Sequence, residues 1–241
     1  PLERMDRYAP DIQDFLRKNG FPRNKSRDIS EVRFESNQPP QQIIRKQWQF
    51  HDLEDQHAII LDKGFLTLQT TCYDLFDSFL SMLCDALDIV DGVVEGLIVE
   101  RIGLRYVNTF TTDEGGEDWR SYLQEGIRGL QSDLLQPSSA LDVHQTTAFT
   151  DVGTIAMRVL QNRNHRFLPP DLEFHGLSKP PHLHGVTEGC LSTIIDVDHI
   201  DGSTFPYDRV QLEERAWSLK NTTHKLTFDE IFTSHAVNQW Q

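Results

Sequence analysis

Two arginines four residues apart, Arg101 and Arg105, flank a glycine in the run Arg-Ile-Gly-Leu-Arg-Tyr-Val-Asn at 101–108. In an extended strand they point to one face with Gly103 between them, while Tyr106 and Asn108 point to the other. Two guanidinium forks above an absent side chain suit a flat or anionic group. The same forks equally suit carboxylates on neighbouring strands, which would make the run structural. A second basic group, Arg158, Arg163, His165 and Arg166, stands beside Phe167. Charge next to an aromatic ring can grip single-stranded nucleic acid; the plainer reading is a solvated hairpin face.

The remaining candidates are weaker. His182, His184, Asp196, Asp198, His199 and Asp201 are metal-ligand types at strand-like spacing, but that spacing matches no established site. No metal and no cofactor are therefore expected. Cys72 and Cys84 fall on or beside a helical stripe, and Cys190 has no linked His and Asn signature. No nucleophile elbow, Walker loop or dinucleotide fingerprint occurs, so no catalytic residue is assigned. Gly115-Gly116 before an apolar stripe is a weak anion signal. Trp217, Phe228, Phe232 and Trp240 near the C-terminus either pack on a sheet or offer a partner surface.

These residues sit in a chain of 241 residues with net charge −14. The first 48 residues carry 10 Lys and Arg against 7 Asp and Glu, and the rest carry 13 against 30. An acidic body of net −17 is a poor general nucleic-acid binder and favours basic partners. At 38% hydrophobic and 25% charged the chain can build a core. No apolar run approaches a membrane span. Three scattered cysteines and the absence of a signal-peptide pattern lead to the expectation of a cytoplasmic protein.

The elements that must position the candidates follow from periodicity. The spacing predicts a helix over 8–19, with Pro10 in its first turn and Gly20 as its stop. Residues 22–30 read as a polar loop, 33–36 as a short strand and 37–42 as a linker. Period two then predicts strands at 43–50, 57–61 and 65–70, with Asp62-Lys63-Gly64 as a tight turn. Thr71 with Asp74 resembles a capping signal for a helix over 72–88. A long strand over 96–110 follows, with Gly103 marking a bulge or a close approach. A helix is predicted over 113–131, then strands at 141–150 and 154–161. Residues 162–188, with four prolines and four histidines, read as a long excursion. A last strand covers 190–198. Asp208 with Gln211 and Thr227 with Glu230 cap two final helices.

The sum is an α+β fold, an antiparallel sheet of about seven strands with helices packed on one face. Residues 1–42 form an N-terminal helix and linker, and 43–241 a single domain with two loosely similar halves, 43–131 and 141–241.

The 101–108 run, with Trp48-Gln49-Phe50, the Leu-Thr-Leu-Gln-Thr-Thr-Cys-Tyr stretch at 66–73 and Pro10-Asp11-Ile12-Gln13 before Gly20-Phe21-Pro22, resembles a family of uncharacterised, sporadically distributed prokaryotic proteins. Its mark is an R-I-G-L-R-Y-x-N strand. The resemblance implies a prokaryotic protein, and its patchy distribution implies defence or mobile-element genes; it implies no chemistry. The expectation is a non-enzymatic, acidic interaction or regulatory subunit that docks to a protein partner, with no membrane involved. Arg101, Arg105, Arg158, Arg163, His165 and Arg166 are its candidate partner or anion contacts. The alternative is a nucleic-acid-binding or nuclease-complex subunit using an arginine face.

Overall fold

The computed structural model describes residues 4–33, 40–112, 121–128, 141–163, 168–169, 171–179 and 191–240. Among them the protein is α+β, with ten strands in three antiparallel sheets and four α-helices, where about seven strands were expected. The chain divides into two compact units, Pro1–Leu97 with Glu173–His182, and Ile98–Leu172 with Leu183–Gln241. The division falls at 97/98, not after residue 42 or at 131, because the N-terminal elements pack with the strands that follow them.

In the first unit, α1 (Met5–Lys18), β1 (Arg23–Arg33), β2 (Gln41–His51), β3 (His57–Leu61), β4 (Leu66–Thr70) and α2 (Phe76–Val94) build a sheet of order β1-β2-β3-β4. Met5, Ile12 and Leu16 of α1 and Ala86 and Val90 of α2 share a core with Phe50, Ile59, Leu61 and Leu68. Register places Phe50 beside Ile59 and Ile59 beside Leu68, so one sheet face supplies all four. The helix α1 starts three residues earlier than its sequence suggests, which puts Pro10 in the second turn. It stops where expected, with Gly20 at φ +95° and Phe21 N–H bonded to Leu16 O.

Residues 23–33 are strand and not loop. They pair with β2 from Arg23↔His51 to Arg33↔Gln41. An edge strand can be polar on both faces when its neighbour satisfies its backbone, so no apolar period marks it. The helix α2 starts at Phe76, not 72, and Thr71 and Asp74 do not cap it. Asp91 Oδ1 closes its far end by accepting from Gly96 and Leu97 N–H. The Asp62 turn forms as read, Oδ1 accepting from Gly64 N–H at 2.6 Å and Phe65 N–H at 3.1 Å.

The second unit contains β5 (Ile98–Val99), β6 (Ile102–Thr112), β7 (Leu141–Thr150), β8 (Gly153–Arg163), β9 (Leu191–Asp201), β10 (Phe205–Pro206), α3 (Arg209–Leu226) and α4 (Ser234–Trp240). Its main sheet runs β6-β9-β8-β7, and β5 pairs with β10. The strand expected over 96–110 is broken at 100–101, and residues 102–108 of the run lie in β6, at one end of its sheet. Ile155, Val159, Ile195 and Val197 face Ile231, Phe232 and Ala236 in the core. The helix expected over 113–131 is not an α-helix where it is described. Glu125–Ile127 form a single 3₁₀ turn, and Leu123 is buried in a bridge to Phe232; residues 113–120 and 129–131 lie outside the described part. Asp208 caps α3 by accepting from Gln211 N–H at 2.8 Å. Thr227 caps nothing. The chain runs on from α3 through a π-type turn over Thr227–Ile231, and Thr233 Oγ1 meets Ala236 N–H where α4 begins.

Gly103 makes no bulge. Register between β6 and β9 is unbroken, and a Cβ there would meet only Ile200 Cγ1 at 3.9 Å. The demanding glycine is Gly153, where a Cβ would lie 2.0 Å from Ile200 O. Gly153→Ala should cost about 3 kcal/mol by forcing the β8 backbone away from β9, and Gly103→Ala less than about 1 kcal/mol. Urea unfolding of the two variants beside the parent chain measures the difference.

Candidate functional site

Alternation along β9 sorts the acidic and histidine candidates onto opposite faces. Asp196 and Asp198 take one face, His199 and Asp201 the other. Arg158 lies opposite Asp196 across the β8–β9 ladder, and Arg105 opposite Asp198 across β6–β9. Two arginines from the strands flanking β9 thus converge on one carboxylate.

The Asp196 side chain has no exposed surface. Arg105 Nε donates to its Oδ1 at 2.8 Å and Nη2 to its Oδ2 at 3.0 Å. Arg158 Nε donates to Oδ2 at 2.8 Å, and its Nη2 makes a further ion pair with the same oxygen. Asp171 completes the group from the segment after β8. Its Oδ1 accepts from Arg158 Nη2 at 3.0 Å, and its Oδ2 lies 3.1 Å from Arg105 Nη1. The hydrogen bond from Arg158 holds the Asp171 carboxyl down at about 2. Burial opposes the charge on Arg105, yet the hydrogen bonds and charges of Asp196 and Asp171 together outweigh it and raise its pKa. Burial pushes the Asp198 carboxyl up, with Arg105 and Arg101 opposing.

The arrangement neutralises the candidate arginines from within. Arg105 and Arg158 form two forks on a buried carboxylate, which is the geometry of an internal ion-pair network. Arg101 is exposed just ahead of β6, and so is not part of this network. Arg163 ends β8, its side chain lying outside the described part, as do His165 and Arg166. His182, His184, Cys190 and Gly115-Gly116 also lie outside it. Asp196 is held by arginines, and His199 faces Thr150 and Thr223 at 2.9 Å on each ring nitrogen. Among the described residues no three His, Cys, Asp or Glu side chains are grouped to hold a metal ion. Phe232 is buried; Phe228 stacks on His224 at 4.4 Å and lines a cavity of about 450 Å³ with Gln124, Asp229 and Val237. Trp217 carries Lys220 Nζ 5.3 Å above its ring, and the side chain of Trp240 is outside the described part.

A second polar centre was missed in the sequence. In the first unit Gln47, Gln49 and His51 alternate with Trp48 and Phe50, and all three are buried on the face away from the helices. Residues 173–179 close over them. Glu173 pairs with Arg27 at 2.6 Å, Gln69 donates to Glu173 O at 2.7 Å, and Leu177 packs on Ala58 and Ile60. This stretch, read as part of a long excursion, is therefore a strap held to the sheet. His51 has no exposed surface, and neither ring nitrogen has a hydrogen-bond partner; Asp55 Oδ1 stands 3.3 Å from Nδ1 outside bonding geometry. The signal was the unbroken alternation at 47–51, in which a buried odd face was as available as the even one.

Scans of the chain against protein-family models, curated proteins and solved structures give no match. No helix among the described residues is long and apolar enough to cross a membrane.

Two predictions follow from these groups. Asp196→Ala should cost about 3 kcal/mol or more, since two guanidinium groups lose their buried partner. Asp171→Ala, at a half-exposed carboxylate, should cost less than about 1 kcal/mol. Equilibrium denaturation of both reads the contrast. Burial also lowers the pKa of His51, His175 and His199. An unfolded histidine near 6.5 then binds protons that the folded one refuses, so stability falls as pH drops from 7 to 5. The expected loss is roughly 1–2 kcal/mol, and His51→Gln should reduce it, as followed by thermal melts at the two pH values.

Proposed function

We propose that this chain is a non-enzymatic interaction subunit of a prokaryotic defence or mobile-element system and docks to a protein partner through the open edge of β7. The observation that carries the reading is the character of that edge. Among the described residues β7 pairs only with β8. Its sequence, Leu-Asp-Val-His-Gln-Thr-Thr-Ala-Phe-Thr, has one carboxylate, no lysine and no proline over ten residues. Phe149 is 91% exposed and Val143 about half exposed on the same face.

Long sheet edges are usually blunted by charge, proline or a bulge, because unpaired N–H and C=O groups template another strand. Of the other long edges, β1 follows that rule with six charged residues in eleven, while β6 has a single charged residue, Arg105, which is tied to Asp196 and Asp171. What sets β7 apart from β6 is the exposed Phe149 and Val143, and they support β7 as a surface for strand addition, a common mode of protein recognition. The acidic body fits a partner with basic surface around the added strand.

The alternative, a nucleic-acid-binding or nuclease-complex subunit using an arginine face, draws less support, since Arg105 and Arg158 are neutralised by Asp196 and Asp171. A tagged chain expressed in its native host should retain a partner, and Phe149→Lys should lower that recovery roughly tenfold or more, as for loss of an aromatic hot spot. The melting temperature should be unchanged, because the ring is exposed. Recovery unaffected by the substitution would remove β7 as the docking element.

A further inference from the structure

Resting on the β7 docking reading, we infer that the strand which adds to this edge is β7 of a second copy, related by a two-fold axis through Thr146. The argument is the strand's complementarity to itself. An antiparallel pair centred on Thr146 sets Val143 of one copy across from Phe149 of the other, and the same contact recurs on the far side of the axis. Between these two contacts Gln145 lies across from Thr147.

The parity is what makes this register work. Val143, Gln145, Thr147 and Phe149 share one sheet face, opposite Leu160, Arg158, Ala156 and Thr154 of β8. Pairing about Thr146 keeps odd residues against odd residues, so both copies present their apolar side chains on one face of a continuous eight-stranded sheet. An aromatic ring against a β-branched side chain is among the favourable cross-strand pairs. On the opposite face His144 meets Ala148 and Asp142 meets Thr150, so no like charges oppose each other. That matters in a chain of net charge −14, where like charges facing each other across a pair of copies would oppose it.

Shifting the axis by one residue position to Gln145 or Thr147 removes the match. It sets Val143 against Thr147 and Phe149 against Leu141, the first residue of the strand, in the first case, and Gln145 against Phe149 and Val143 against Asp151 of the turn in the second. The Thr146 register is thus the one that sets the two exposed apolar side chains, Val143 and Phe149, against each other on both sides of the axis. An interface of one strand pair is small, so the dimer should be weak and concentration-dependent.

Sedimentation velocity over a concentration series from about 1 to 200 µM, a range suited to weak interfaces, tests this on the full chain. The parent chain should pass from monomer to dimer. Phe149→Glu should remain monomeric throughout with an unchanged melting temperature. The double substitution Val143→Lys with Phe149→Glu should restore the dimer, now weakened by salt, since opposite charges then face each other twice in this register and in no other. A parent dimer that persists in Phe149→Glu overturns the inference, as does a double variant that stays monomeric. If the parent chain is monomeric throughout while Phe149→Glu abolishes recovery of a host protein, the second copy is excluded and the docking reading stands. If it is monomeric and recovery is unaffected, both fall.

Discussion

A carboxylate with no access to water must be neutralised where it sits, and in the second unit that carboxylate is Asp196. Left alone in the middle of a sheet it would cost several kcal/mol or take up a proton. Arg105 and Arg158 reach it from the strands on either side of β9, and Asp171 neutralises the charge they have left over. The group ties three neighbouring strands together at one level. It leaves little tolerance for register slip, because moving either flanking strand by one residue would turn its arginine to the opposite face. The arginine strand is thus explained by its partners, and its glycine is an ordinary sheet position.

The two units solve the same problem differently on the sheet face away from their helices. In the first, a polar row of Gln47, Gln49 and His51 is covered by the 173–179 strap; Gln47 accepts from Arg27 and Gln49, and the strap is held by Arg27 and Gln69. In the second, the corresponding face carries the arginine–aspartate network. Buried polar groups of either kind are tolerable only when partnered. His51 departs from this, a fully buried ring neither of whose nitrogens has a hydrogen-bond partner, as do Gln161 Nε2 and Thr193 Oγ1 in the second unit.

Edges distinguish the units further. The strand β1 is charged along its length and so protected from adventitious pairing, whereas β7 is nearly uncharged and carries an exposed phenylalanine. The edge β6 is nearly as free of charge, and what distinguishes β7 is its exposed aromatic ring, which is the main physical support for the proposed interaction role.

Local rules were legible in the sequence wherever the deciding partner lies within a few residues. The Asp62 turn, the Gly20 stop, the Asp208 cap, the hairpin between 141–150 and 154–161 and the α+β class all follow from short-range hydrogen bonding and from periods of two and 3.6. What the sequence left open depended on distant partners. The strand β1 exists because β2 pairs with it, Leu123 is buried by Phe232 and not by a helix, and the strap is held by side chains more than a hundred residues away. The arginines could be read as a recognition face or as an internal network, and only the β6–β9–β8 order decided, by bringing to Asp196 two residues 91 and 38 positions away. Residue type and spacing determine which groups can satisfy one another; the sheet order determines which of them meet, because pairing between strands is set by the burial of the whole face and not by any one side chain.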